Sequence, residues 1–214
     1  MAEKFRFCAL WLSLLCIIVF VLQLVIPSFT KNFMLTSNAL AQPWQFLTAV
    51  FLHGSVVHLL YNLFALILFG LMLEKFIGGR RFLILFFVSG ILANIISFYW
   101  YPNALGASGA IMAVIGVVAV LQPMMTVWAF NLPMPMFIAA IIWVAGSVLG
   151  IFGFGDQGTG YLAHLSGIFI GLLYGFYVRL RAKKRMQSNS ISFERKIVIP
   201  EDQIRNWERY HFGK

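Results

Sequence analysis

Six stretches of the chain, residues 7–26, 53–73, 82–101, 108–122, 134–149 and 159–180, are apolar almost from end to end. A helix that crosses the hydrocarbon of a bilayer needs about 20 such residues. Inside that hydrocarbon every backbone N–H and C=O must be satisfied within the protein, and a helix does so within a single segment. Runs of this length therefore predict an all-α, polytopic membrane protein with six transmembrane helices. Composition agrees, with 61% hydrophobic residues, 11% charged and a mean hydropathy of +0.86, far from the soluble range. The first run is longer than the apolar part of a signal peptide, and no small-residue cleavage site follows Pro27, so it is expected to remain as an anchor.

Charge then orients the bundle. With both termini inside, Lys4, Arg6, Lys75, Arg80, Arg81 and the ten basic residues from Arg179 onward fall on the cytoplasmic side, and Lys31 alone lies outside. A bias of this size sets topology. The net charge of +9 thus speaks of membrane orientation and anionic headgroups, and no nucleic-acid partner is expected. The compact six-span core, with no added seventh helix, points to a prokaryotic inner membrane. Cys8 and Cys16 sit eight residues apart on one helix, about 12 Å of rise, too far to pair; they read as packed or lipid-facing thiols.

The connections are unequal. Residues 27–52 are too many for a tight turn, and their mix of Pro27, Pro43, Trp44, Phe46 and Phe51 predicts a structured segment lying in the membrane interface. Glu74, Lys75, Arg80 and Arg81 read as a solvated cytoplasmic turn. Trp100, Tyr101, Trp128 and Trp143 include interfacial anchors. The chain divides into a membrane domain, 1–180, and a basic cytoplasmic tail, 181–214. A short helix is expected after Pro200, with Glu201 and Asp202 in its first turn and Glu201 spaced to meet Arg205.

Polar side chains at membrane depth are costly, about 2 to 3 kcal/mol or more each, so their convergence is a functional hypothesis. The even-numbered spans run from outside to inside. This puts His53, His58, Ser108 and His164 in the same outer half of the bilayer. From Ser108 to Pro123 the fourth helix has only about 22 Å of rise against about 30 Å of hydrocarbon, so it cannot cross alone. Its first residue then lies below the outer surface, at the floor of a submerged aqueous cavity, because irregular backbone at that depth needs protein or water around it. Gly106 and Gly109 flank Ser108 and allow a tight turn into a helix start, whose free N–H groups favour negative charge. Gly167, Gly171 and Gly175 form a small-residue stripe that lets a neighbouring helix approach and carries His164 toward Ser108. His58 and Asn62, one turn apart, can both direct donors into the cavity, where an oxyanion would be held.

These residues carry a resemblance. His53-Gly-Ser-Val-Val-His58-Leu-Leu-Tyr-Asn62, Gly106-Ala-Ser108-Gly109 and Ala163-His164-Leu-Ser-Gly167 resemble the signature of the rhomboid intramembrane serine proteases, in order and spacing, across about residues 7–180. The resemblance implies a rhomboid-like bundle with Ser108 as nucleophile and His164 as its general base. His58, Asn62 and the backbone N–H of Ser108 would form the oxyanion hole, and Gly106 and Gly167 would serve loop and helix packing. Residues 27–52 would be the membrane-embedded first loop, and the fifth helix with the loop after it a gate and cap. Two positions depart from the pattern. Trp44-Gln45 stands where many members carry Trp-Arg, and Met112 stands where several carry a Tyr against the histidine. Gln45 removes the usual loop-bracing salt contacts, and Met112 can pack softly on the imidazole.

The chemistry expected is that of a Ser-His dyad, since Glu74 and Asp156 are the only acids near the spans and neither is placed to serve as a third member. The substrates expected are single-pass membrane proteins whose helix unwinds near the outer half of the bilayer. No cofactor is expected, and no metal: His53 and His58, five residues apart on one helix, would point about 140° apart. Two rivals use the same residues: an inactive relative that binds and escorts membrane helices, and a small-solute transporter. Polar groups confined to half of the membrane and the lack of inverted broken helices argue against the transporter. Retention of both Ser108 and His164 argues against the escort.

Overall fold

A computed structural model describes residues 6–129, 131–156, 158–196 and 201–213. The fold is all-α in its membrane part. Among the described residues, four helices are long and apolar enough to cross a bilayer: α1 (Cys8–Val25), the continuous span Val56–Ile77, α6 (Gly79–Trp100) and the segment Tyr161–Lys184. Two further apolar helices, α7 (Ser108–Leu121) and α8 (Met136–Ile151), are shorter. The chain separates into two compact units, Met1–Phe176 and Tyr177–Lys214.

In the first unit, α7 is the central helix. Almost every residue from Gly109 to Val120 is buried, and α6, α8 and the Val56–Ile77 span all pack on it. The outer helices turn their largest apolar side chains outward instead. On α1, Trp11, Ile18, Val21 and Leu24 are exposed while Ala9, Leu12, Ser13 and Cys16 face inward. With lipid outside there is no hydrophobic drive to bury bulk, and close packing favours small residues within. Both cysteines are packed thiols.

The Val56–Ile77 span is not uniform. It runs as α4 (Val56–Ala65), one π turn (Leu66–Gly70) and α5 (Leu71–Ile77). The π turn packs against α1 and α7, and a Cβ at Gly70 would stand 2.9 Å from that of Ala9. At its far end the structure corrects the reading of a solvated turn. Lys75, Arg80 and Arg81 are exposed, but Glu74 is 1% exposed. Its carboxylate accepts the Arg6 N–H at 2.8 Å and the Ala9 N–H at 3.4 Å. Glu74 thus caps the start of α1, where the first N–H groups of a helix have no internal partners and the dipole favours an anion.

The loop between α1 and α4 is structured throughout: α2 (Phe29–Phe33), β1 (Leu35–Thr36), α3 (Gln45–Thr48) and a 3-10 turn over Ala49–Phe51. Gln45, 1% exposed, holds it together. Its Oε1 accepts both the backbone N–H and the hydroxyl of Thr36, and its Nε2 donates to Gln42. The bracing expected to be lost with the missing arginine is supplied here by neutral hydrogen bonds. Asn94 of α6 donates to the Phe46 carbonyl and fastens the loop to the bundle. Between α7 and α8 lies a hairpin that no sequence pattern announces, in which β3 (Thr126–Ala129) pairs antiparallel with β4 (Leu132–Pro135).

α9 (Tyr161–Lys196) continues well past the sixth apolar run, and α10 (Glu201–Phe212) follows. Pro200, the expected start signal, lies outside the described residues, as do Ile197, Val198 and Ile199. Glu201 and Arg205 meet at 3.6 Å on the surface of α10.

Candidate active site

Ser108 is the first residue of α7, and His164 lies in the first turn of α9. The two helices touch because glycine leaves room. A Cβ on Gly167 would fall on the carbonyl oxygen of Gly109, one on Gly171 on that of Ala113, and one on Gly116 would stand 2.6 Å from the Ile168 carbonyl. Contact this close, repeated every turn, brings the half-buried His164 to Ser108, with Nε2 2.8 Å from Oγ. The Tyr161 ring stands perpendicular to the imidazole at 6.3 Å. Tyr101, read as an interfacial anchor, also accepts the Leu162 N–H at 3.2 Å and so ties the end of α6 to the start of α9. Met112 is half-buried, its Cβ facing Gly167.

The segment before Ser108 is fixed from the other side. β2 (Asn103–Ala104) pairs antiparallel with β1, and the Gly106 N–H donates to the Ala49 carbonyl at 2.8 Å. Gly106 has φ +125°, a conformation that side chains resist. A Cβ there would lie 2.8 Å from Cε1 and 3.0 Å from Nε2 of His58, and 3.9 Å from the Ser108 hydroxyl. One point in space is therefore close to His58 and Ser108 together. Gly109 does something other than shape that turn: a Cβ on it would meet the Ala93 Cβ of α6 at 2.6 Å.

His58 lies in the first turn of α4, capped by Ser55, whose Oγ accepts the His58 N–H. The Gly54 N–H points at His58 Nδ1 at a long 3.5 Å, and the neutral tautomer that accepts it carries its proton on Nε2, the nitrogen beside Gly106. Asn62, buried, donates one amide hydrogen to the His58 carbonyl and keeps a second. His53 is not on that helix, contrary to the angular argument made from spacing; it precedes α4, and its ring lies edge-on to that of His58 at 5.2 Å. It is 1% exposed, with Nδ1 donating to the Phe51 carbonyl. Its backbone is bound in both directions by Gln23 of α1, which accepts the His53 N–H and donates to the His53 carbonyl. A lone glutamine in an otherwise apolar span was the signal for this anchor.

A hydroxyl within 2.8 Å of an imidazole nitrogen can give up its proton as it attacks an electrophile. The first N–H groups of α7 have no partners within the helix, and His58 Nε2 lies 3.0 Å from where a Cβ on Gly106 would stand. Among the described residues no carboxylate joins them. Glu74 is occupied at the opposite end of its span, and Asp156 is exposed in the loop before α9. Among the described residues there is no cluster of His, Cys, Asp or Glu able to hold a metal.

Comparison with known proteins decides the family. A sequence model of the Rhomboid domain matches residues 40–181, which contain every residue of the site. This chain belongs to the rhomboid family. Among its rhomboid relatives, the mitochondrial Rhomboid protein 1 of Saccharomyces cerevisiae is 30% identical over 171 residues, 73% of this chain and 48% of that protein. Rhomboid protease GlpG of Haemophilus influenzae is 30% identical over 138 residues, 64% of this chain and 70% of that one. The mitochondrial RHOMBOID-like protein 6 of Arabidopsis thaliana is 29% identical over 144 residues, 65% and 45% respectively. This rhomboid thus spans about half the length of two of these relatives. It is an integral membrane protein by family and by its apolar helices.

Proposed function

We propose that this chain is an intramembrane serine endopeptidase that hydrolyses peptide bonds in or near the transmembrane segments of other membrane proteins. The carrying observation is the 2.8 Å approach of His164 Nε2 to Ser108 Oγ. The naming of GlpG as a protease supports the reading.

In this mechanism Ser108 Oγ attacks the scissile carbonyl carbon while His164 Nε2 takes its proton. The carbonyl oxygen becomes an oxyanion, held by the Ser108 backbone N–H, the His58 Nε2–H and the free amide hydrogen of Asn62. Collapse breaks the C–N bond, and the imidazolium returns its proton to the leaving amine. Water then attacks the acyl-serine with His164 again as base, releasing the new carboxylate and restoring Ser108. Imidazole is the fitting base because its neutral form is abundant near pH 7. The hydrolytic water reaches Ser108 through a cavity open to the outer side. α7, with 14 residues and about 21 Å of rise, starts below the surface of a hydrocarbon layer about 30 Å thick.

The substrates we propose are single-pass proteins whose span carries helix-weakening Gly, Pro or polar residues near its outer end, because a helical peptide bond is sterically closed and internally bonded. Residues 1–180 act as the membrane domain and 181–214 as a basic tail. The distribution of basic residues supports cytoplasmic termini, and the compact six-span core is the basis for placing the chain in a prokaryotic inner membrane.

The test is reconstitution of the chain in lipid with a fluorescent single-span substrate, comparing wild type with Ser108→Ala and His164→Ala and locating the cut by mass spectrometry. Both variants are expected to lose cleavage, each by about as much as the double variant, since groups that act as a unit are not additive. Cleavage that survives Ser108→Ala, or none by wild type across several substrates, would transfer the site to helix binding or solute passage.

A further inference from the structure

α10 is amphipathic in an unusual way. At 100° per residue, Tyr210, Trp207, His211 and Ile204 fall within an arc of about 120°, with Gln203 among them. Glu201, Asp202, Arg205, Asn206, Glu208 and Arg209 occupy the rest of the circumference, with the terminal Phe212 between Glu201 and Arg205. Ile204 is 43% exposed, Trp207 55% and Tyr210 88%. Its aromatics lie against one another, His211 stacked on Trp207 at 4.7 Å and beside Tyr210 at 5.2 Å.

We infer that α10 is a membrane-surface helix, whose aromatic arc enters the headgroup region of the anionic leaflet beside which the chain's basic segment emerges. Three observations select a lipid surface over a protein. The arc holds one aliphatic residue and three rings, whereas a helical partner asks for a repeating aliphatic seam. Trp and Tyr, with an apolar body and a polar tip, favour the boundary between hydrocarbon and water. Charge is complementary too: Arg179, Arg181, Lys183 and Lys184 are exposed at the end of the apolar part of α9, and residues 177–214 carry ten basic against four acidic side chains. Basic clusters next to a span draw anionic headgroups, and an amphipathic helix supplies the second signal that stable surface binding needs. The bilayer is already tethered to the chain, so its effective concentration is high and a short helix suffices.

The experiment uses the full chain with Cys8→Ala and Cys16→Ala, spin-labelled at Ile204→Cys on the arc or Asp202→Cys opposite it. Each is reconstituted in vesicles of phosphatidylcholine alone or phosphatidylcholine with phosphatidylglycerol. With phosphatidylglycerol, the label at 204 is expected to meet oxygen several-fold more readily than a water-soluble nickel chelate, and the label at 202 the reverse. Lys183→Gln with Lys184→Gln, or pure phosphatidylcholine, should return residue 204 toward water. Equal water exposure at both positions, or a preference at 204 that ignores headgroup charge, overturns the inference. So does protection of 204 from both probes, which would mean a protein surface covers the arc. Hydrogen exchange over residues 201–212 of the unmodified chain gives an independent check: it should slow when phosphatidylglycerol is present, and an unchanged rate counts against a lipid partner.

Discussion

The carbonyl oxygen of Gly109 occupies the place where a Cβ on Gly167 would stand. No rotamer relieves that clash, since both parties are backbone, so α7 and α9 must part if Gly167 gains a side chain. Gly167→Ala is expected to cost about 1 to 3 kcal/mol in overpacking. Its effect on hydrolysis should be larger in proportion, because a displacement of about 1 Å at reacting groups costs about a hundredfold. Thermal unfolding in detergent and turnover of a model substrate measure the two separately; full turnover in Gly167→Ala would mean that this contact does not set the distance from Ser108 to His164.

Gly106 makes a different demand. Its φ of +125° excludes other residues on backbone grounds, and a Cβ would also press on the His58 ring at 2.8 Å. Gly106→Ala should lower turnover by one to two orders of magnitude, with about 1 to 3 kcal/mol of strain. Gly146 on α8 is the control, having ordinary backbone and nothing within 4 Å of its added Cβ. Gly146→Ala should leave turnover alone and hold or raise the melting temperature.

What could be read from the sequence follows from the range of the forces concerned. The apolar runs, the short fourth helix and the glycines spaced by four are local periodicities, and each has its counterpart in α1, α7 and the contact of α7 with α9. Pairing across distance left little trace. Leu35 and Ala104 form one rung of a two-residue ribbon, too short for any alternation to announce it. The bond from Gly106 to the Ala49 carbonyl involves only backbone and is silent in side-chain identity. Three basic neighbours suggest a solvated cluster around Glu74, whereas its partners are the N–H groups of Arg6 and Ala9, 68 and 65 residues earlier.

Gln45 tests whether neutral hydrogen bonds brace the first loop. Removing its side chain leaves the half-buried Thr36 N–H and hydroxyl without their acceptor. Gln45→Ala should destabilise by about 1 to 3 kcal/mol. In a double-mutant cycle with Thr36→Val, a coupling of about 0.5 kcal/mol or more is expected from thermal or denaturant melts, and strict additivity would show that the pair does not act as one.

Glu74 separates two physical descriptions of one carboxylate. Were it a solvated surface charge, Glu74→Gln and Glu74→Ala would each fall within about 0.5 kcal/mol of wild type. As the buried cap of α1 it accepts from Arg6 and Ala9, and Glu74→Ala removes the acceptor of both N–H groups, the second of them buried, a cost of about 1 to 3 kcal/mol. Glu74→Gln keeps one oxygen to accept the shorter bond but loses the anion that suits a helix start, so its cost should be smaller yet measurable. The order wild type, Gln, Ala in melting temperature is the expected outcome. Turnover per folded molecule should stay unchanged throughout, because Glu74 lies sixteen residues, about 24 Å of helix, from His58. A variant that lost activity while keeping its melting temperature would instead tie this end of the bundle to the chemistry.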